Sequence, residues 1–184
     1  MATEKGVSDE LSLTLAWFGK KLGGTVLEEQ SLRPALGFLL LWGSFESQTF
    51  DEKVKGPVLS RLVDALKDNP FKANEDIINP LFEYFRYRYI LSSKRGDKFA
   101  RLNIENGPKG LFGEESVPVY VERILGNAES NLNDRLNCVF IIIYRFRNNL
   151  FHGRKRAVTL NIYKTPFTKI NIFLRQYMSL SRIS

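Results

Sequence analysis

The chain reads as an all-α protein: a helical bundle with a long irregular loop and a C-terminal helix, folded as a single domain over residues 1–184. Three observations predict this. Apolar residues recur at helical spacing along most of the chain. Proline, glycine and short polar residues punctuate those stretches where helices start and stop. The 184 residues, 43% hydrophobic and 12% aromatic, supply one sizeable core, and no repeat, low-complexity tract or linker marks a second domain.

The elements follow in order. "SDELSLTLAWFGKKLGG" opens on Ser8 as a cap, spaces Leu11, Leu15 and Phe18 on one face, and stops at Gly23-Gly24. A second helix starts near Pro34, a residue tolerated in a first turn, stacks Phe38, Leu41, Trp42 and Phe45 on one stripe, and ends around residue 48. "PVLSRLVDALKD" forms a short third helix. Asn79-Pro80 opens a fourth through "LFEYFRYRYIL", with asparagine as cap and proline at the first helical position. From Ser92 to Glu115 five Gly or Pro residues and mixed charges predict the long loop. Pro118 begins a short helix through Leu125. "NLNDRLNCVFIIIYRFRNNLFH" is the longest candidate, capped by Asn131 or Asn133 and apolar on all sides in its middle, which makes it the central helix. "AVTLNIY" alternates and reads as extended, and Thr165-Pro166 starts a last helix with Ile170, Phe173, Tyr177 and Leu180 inward.

Composition narrows the function classes. "MATEKGVSDE" lacks a charged region followed by an apolar one, and the apolar runs "LGFLLLW" and "CVFIIIY" are too short to cross a bilayer, so the expectation is a cytoplasmic protein with no membrane partner. Cys138 stands alone in an apolar run and reads as a buried small hydrophobe. One Cys and one His supply no zinc site of the usual kind, and no cofactor is expected. The net charge is +7, and from Arg135 onward there are ten basic residues and no acidic one. A block without internal counterions either repels itself or faces a polyanion.

The single histidine lies inside that block, in "RFRNNLFHGRK". Ile141, Arg145, Asn148 and His152 recur at i, i+4, i+7 and i+11, so a polar stripe emerges from the core along the central helix. Arg147 lies five positions before His152, about 140° away on an ideal helix, so the two meet through arginine's reach, helix termination near Gly153, or a second copy of the chain. Imidazole can move a proton at cellular pH, and guanidinium binds phosphate oxygens with a planar fork. Together they suit phosphodiester chemistry.

"RNNLFHG" resembles the signature of the HEPN ribonuclease family: an Arg, a following polar residue, and a His after a gap of four to six residues. The matching positions are Arg147, Asn148 and His152. "YFRYRY" and "FLLLWGSFE" are similar in outline to earlier helices of Apea-like members. The resemblance implies an up-and-down helical bundle that dimerises so that two motifs face each other. It also implies a metal-independent endoribonuclease, a toxin of a toxin and antitoxin pair or an effector of phage defence, with a possible neutralising protein as partner. Members paired with a nucleotidyltransferase carry a tyrosine two positions after the histidine; here that position is Arg154.

By this resemblance the ribose 2′-OH attacks the adjacent phosphate and leaves a 2′,3′-cyclic phosphate. His152 moves the proton, Arg147 stabilises charge on the phosphorane, and Asn148 orients the phosphate or the imidazole. Arg145 and Glu46 are supporting candidates: Arg145 shares the stripe, and Glu46 extends that of Phe38, Trp42 and Phe45 toward the imidazole. Each has a plain alternative, a solvated helix arginine and an exposed helix end. Arg154, Lys155 and Arg156 follow the histidine, where phosphates flanking a scissile bond lie, and are assigned to RNA binding. "EYFRYRY" mixes aromatic and basic residues, but its spacing favours packing over base stacking. Two competing classes remain: a non-catalytic module of the same fold binding nucleic acid or a protein partner, and a metal-dependent nuclease, against which the lack of a tight acidic cluster counts.

Overall fold

The computed structural model describes residues 12–17, 20–21, 29–50, 55–67, 74–92, 94–151 and 162–180, and helix dominates them. Residues 12–17 and 20–21 are helical, where the first helix is expected; Ser8, Leu11, Phe18 and Gly23-Gly24 lie outside the described residues. Helices then run over Glu29–Thr49 (α1), Val58–Lys67 (α2) and Glu75–Tyr89 (α3). A two-stranded hairpin, Ile90–Leu91 (β1) and Lys94–Arg95 (β2), leads to a single helical turn, Asp97–Ala100 (α4). Val117–Gly126 (α5), Leu132–Phe151 (α6) and Lys164–Leu180 (α7) complete an all-α bundle.

Two helices start earlier than their prolines suggest. α1 begins at Glu29, whose carboxylate pairs with Arg33 one turn on at 2.6 Å, and Pro34 lies inside it. α3 begins at Glu75 after Asn74, with Glu75 and Asp76 complementing the positive end of the helix dipole; Pro80 lies in its second turn. Asn79 is therefore no cap. Its Oδ1 accepts a hydrogen bond from Arg135 Nη1 at 2.9 Å, tying α3 to α6. The expected loop from Ser92 to Glu115 is shorter than its composition implies, because β2 and α4 fall inside it and isolated bridges pair Gly110 with Gly113 and Phe112 with Glu115. Of the segment expected to be extended before α7, only Ile162 and Tyr163 are described, and both lie in a 3₁₀ turn.

α6 is the central helix. Asn131 caps it: its Oδ1 accepts from the Asp134 backbone N–H at 2.9 Å while its Nδ2 donates to the Asp134 carboxylate at 2.8 Å. Six consecutive residues, Cys138 to Ile143, are buried, so no face of the helix middle meets water. α2, α3 and α5 pack on α6, and α1 packs along α7. Aromatic rings join the two layers: Phe45 stacks on Phe140 at 4.8 Å, Phe140 meets Tyr177 edge-on at 5.0 Å, and Phe146 meets Phe167 at 5.5 Å. Near the start of α7, Asn171 Nδ2 donates to the Pro34 carbonyl at 2.8 Å. A β-carbon on Gly37 would lie 3.0 Å from that Asn171 nitrogen, so the glycine lets the helices close.

Candidate functional site

The last two turns of α6 carry polar residues out of the core. Arg145 is 4% exposed, and its Nη1 donates to Glu105 Oε1 at 3.1 Å. It is thus a buried tether for the segment after α4, not a solvated helix arginine. Its Nε finds no acceptor among the described residues. One turn on, the buried Asn149 donates through Nδ2 to the Leu102 carbonyl at 3.2 Å, fixing the same segment. Gly107, at φ +68°, completes the closure: a β-carbon there would sit 2.6 Å from Val117 Cγ2, and the left-handed backbone favours glycine independently.

Arg147 leaves the helix on the other side. Its Nη1 donates to Asn148 Oδ1 at 3.2 Å, and its Nη2 lies 3.6 Å from Glu46 Oε1 on α1. The two charged side chains are 28% and 27% exposed, so solvent reaches the pair. Glu46 follows Trp42 by one turn, and the Trp42 ring lies 6.5 Å from that of Tyr144, which sets the spacing of α1 and α6 at this point. The stripe on α1 therefore brings Glu46 to the motif, where it meets Arg147. Arg147, Asn148 and Glu46 come together; Arg145 faces Glu105 instead. His152, Arg154, Lys155 and Arg156 lie outside the described residues.

These contacts correct the reading of the basic block. Arg145 and Arg147 draw counterions from Glu105 and Glu46, and Arg135 is bound by Asn79 and by the Ala128 carbonyl at 2.7 Å. Acidic residues from earlier in the chain neutralise part of the excess. Chemically, the arrangement offers a partly exposed guanidinium hydrogen-bonded to an amide. Such a pair accepts an oxyanion, and the Glu46 carboxylate, at ion-pair rather than hydrogen-bond distance, is what that oxyanion must displace.

"EYFRYRY" divides by position. Phe82, Phe85 and Tyr89 are buried, as packing requires, and Tyr87 is exposed. The sequence reading misses Arg88, which lines a cleft between the end of α3, α4 with Arg101 and Leu102, and the turn into α7. Spacing along α3 carries a hint, since Arg88 lies among tyrosines with no acidic residue one turn either side, but residues 98–101 and 163 join it only through the fold. Elsewhere, burial pushes the Cys138 thiol above its ordinary range, which keeps it unreactive. Among the described residues no three His, Cys, Asp or Glu side chains converge to hold a metal ion, and no helix is long and apolar enough to cross a membrane.

No protein-family model, curated protein or solved structure matches the chain.

Proposed function

We propose that the chain is a metal-independent endoribonuclease that cleaves RNA through Arg147, Asn148 and His152 at the interface of a homodimer, acting as a toxin or phage-defence effector restrained by a neutralising protein. The observation that carries this reading is the pairing of Arg147 with Asn148 at 3.2 Å at the end of the central helix, with the arginine side chain partly exposed and His152 five residues after Arg147 in the chain. The fork would hold the phosphate, and the imidazole would move the proton of the ribose 2′-OH. Incubating purified protein with RNA in EDTA should give fragments ending in 2′,3′-cyclic phosphate. His152→Ala and Arg147→Ala should each abolish them while leaving helical circular dichroism intact.

The ion pair between Arg147 and Glu46 favours a second reading, in which the motif ties α1 to α6 in a non-catalytic module that binds nucleic acid or a protein. Under that reading RNA is retained uncut, and Arg147→Ala lowers the melting temperature. Cleavage in EDTA that survives both alanine substitutions would remove the catalytic assignment.

A further inference from the structure

We infer that the cleft lined by Arg88, Tyr89, Lys98, Arg101 and Tyr163 is a binding site for a phosphate group. This inference stands apart from RNA cleavage and needs neither Arg147 nor His152.

Charge is the first argument. Three cations line one cleft of about 70 Å³, and among the described residues no acidic one lines it. Nor does any of the three form an ion pair with a carboxylate among the described residues. Neighbouring arginines differ: Arg86 pairs with Glu83 at 3.2 Å, and Arg95 pairs with Glu122. The fold thus pairs these neighbouring arginines with carboxylates, while those lining the cleft have none among the described residues. Like charges gathered around one concave space repel one another until an anion enters.

Hydrogen bonding is the second. Arg88 Nε is buried without an acceptor among the described residues, while Arg88 Nη1 donates to the Tyr84 hydroxyl at 3.3 Å and the guanidinium also hydrogen-bonds the Tyr89 hydroxyl. The guanidinium carbon lies 5.8 Å from the Tyr89 ring centre and 5.9 Å from that of Tyr84, so the two tyrosines hold it in place and leave its Nε donor unmade. A buried donor left unmade is costly, and an oxyanion is the partner that a guanidinium fork fits best. Burial raises the Tyr89 hydroxyl far above its ordinary value, so it stays neutral and able to donate.

Size and surroundings fit the same ligand. The open space admits a tetrahedral oxyanion with its waters. Residues 152–161, which precede the cleft's Ile162 and Tyr163 in the chain, contain no Asp or Glu. The cleft also abuts the end of α6: Leu102, in its wall, accepts from Asn149, and the Tyr163 ring meets Phe146 edge-on at 6.0 Å.

The test is titration of the full chain with inorganic phosphate, followed by calorimetry and by chemical shifts, against chloride at matched ionic strength. Saturable binding is expected, with affinity weakened about tenfold or more by Arg88→Gln. Lys98→Gln and Arg101→Gln change exposed residues and should leave the melting temperature unchanged, so they report on the site even if Arg88→Gln unfolds. Competition identifies the source of the group. A 5′-phosphorylated oligonucleotide that displaces phosphate better than its 5′-hydroxyl counterpart marks a terminal phosphate, equal displacement marks the backbone, and no displacement marks free phosphate. Binding no stronger than that of chloride, or unchanged in both Lys98→Gln and Arg101→Gln, overturns the inference. Loss of RNA cleavage with phosphate binding retained would overturn the nuclease reading alone.

Discussion

The contacts of Arg147 with Asn148 and Glu46 are both weak, and this decides how its neighbours should behave on substitution. The Glu46 carboxylate sits 3.6 Å away on a partly exposed surface, where such a pair contributes about 1 kcal/mol or less. Glu46→Gln removes a competitor for the guanidinium, so RNA affinity should rise by a few-fold, roughly what about 1 kcal/mol gives, with little change in melting temperature. Gel-shift titration at fixed salt checks this; weaker binding would instead assign Glu46 to positioning Arg147 for the ligand. Arg147→Lys keeps the charge but loses the planar fork, so cleavage should fall strongly while affinity changes little. Arg145 behaves differently because it is buried. Arg145→Ala leaves the segment after α4 held on this side by Asn149 and should cost stability, about 1–3 kcal/mol by chemical denaturation, since a buried side chain and its charge-assisted bond to Glu105 are lost.

At the scale of elements, sequence and structure agree best where the physics is local. An asparagine cap is legible as Asn131 or Asn133, the structure selects Asn131, and Asn131→Ala should lower stability by about 1 kcal/mol. The middle of α6 is legible because six apolar residues in succession leave no polar face. Helix starts at Pro34 and Pro80 are misread because proline's first-turn preference is a weaker constraint than the acidic first turns of α1 and α3, which carry both prolines inside. Burial of Arg145 was hidden for another reason: its partner, Glu105, is 40 residues away, in a segment whose glycines read as loop. Gly107→Ala tests that segment. The added methyl meets Val117 and Leu59, so melting temperature should fall, while Gly110→Ala, in open space but also at positive φ, should fall less.

For the whole molecule, buried tyrosines set an upper pH limit. Tyr89, Tyr120 and Tyr177 are each raised above the ordinary 10.0, mainly by burial. In the unfolded chain these hydroxyls ionise near that ordinary value, whereas the folded state keeps its protons. Their contribution is therefore fully present below about pH 10 and is lost as pH climbs past it. Melting temperature should hold up to about pH 10 and fall above it, with Tyr120→Phe flattening the fall. Light scattering at micromolar concentration should give the mass of a dimer; a monomer with full activity would remove the shared-site geometry. The seam between α1 and α7 has a consequence for the birth of the chain. Pro34 and Asn171 are 137 residues apart, so α1 has no α7 to cover Phe38 until the residues that form α7 have been synthesised. Loops of that length close slowly, while α5 and α6 are neighbours in sequence and can pair early. On a ribosome, α1 waits with its aromatic face unsheltered until α7 emerges, and a stall before residue 164 should leave it as the point where a chaperone binds or an aggregate begins.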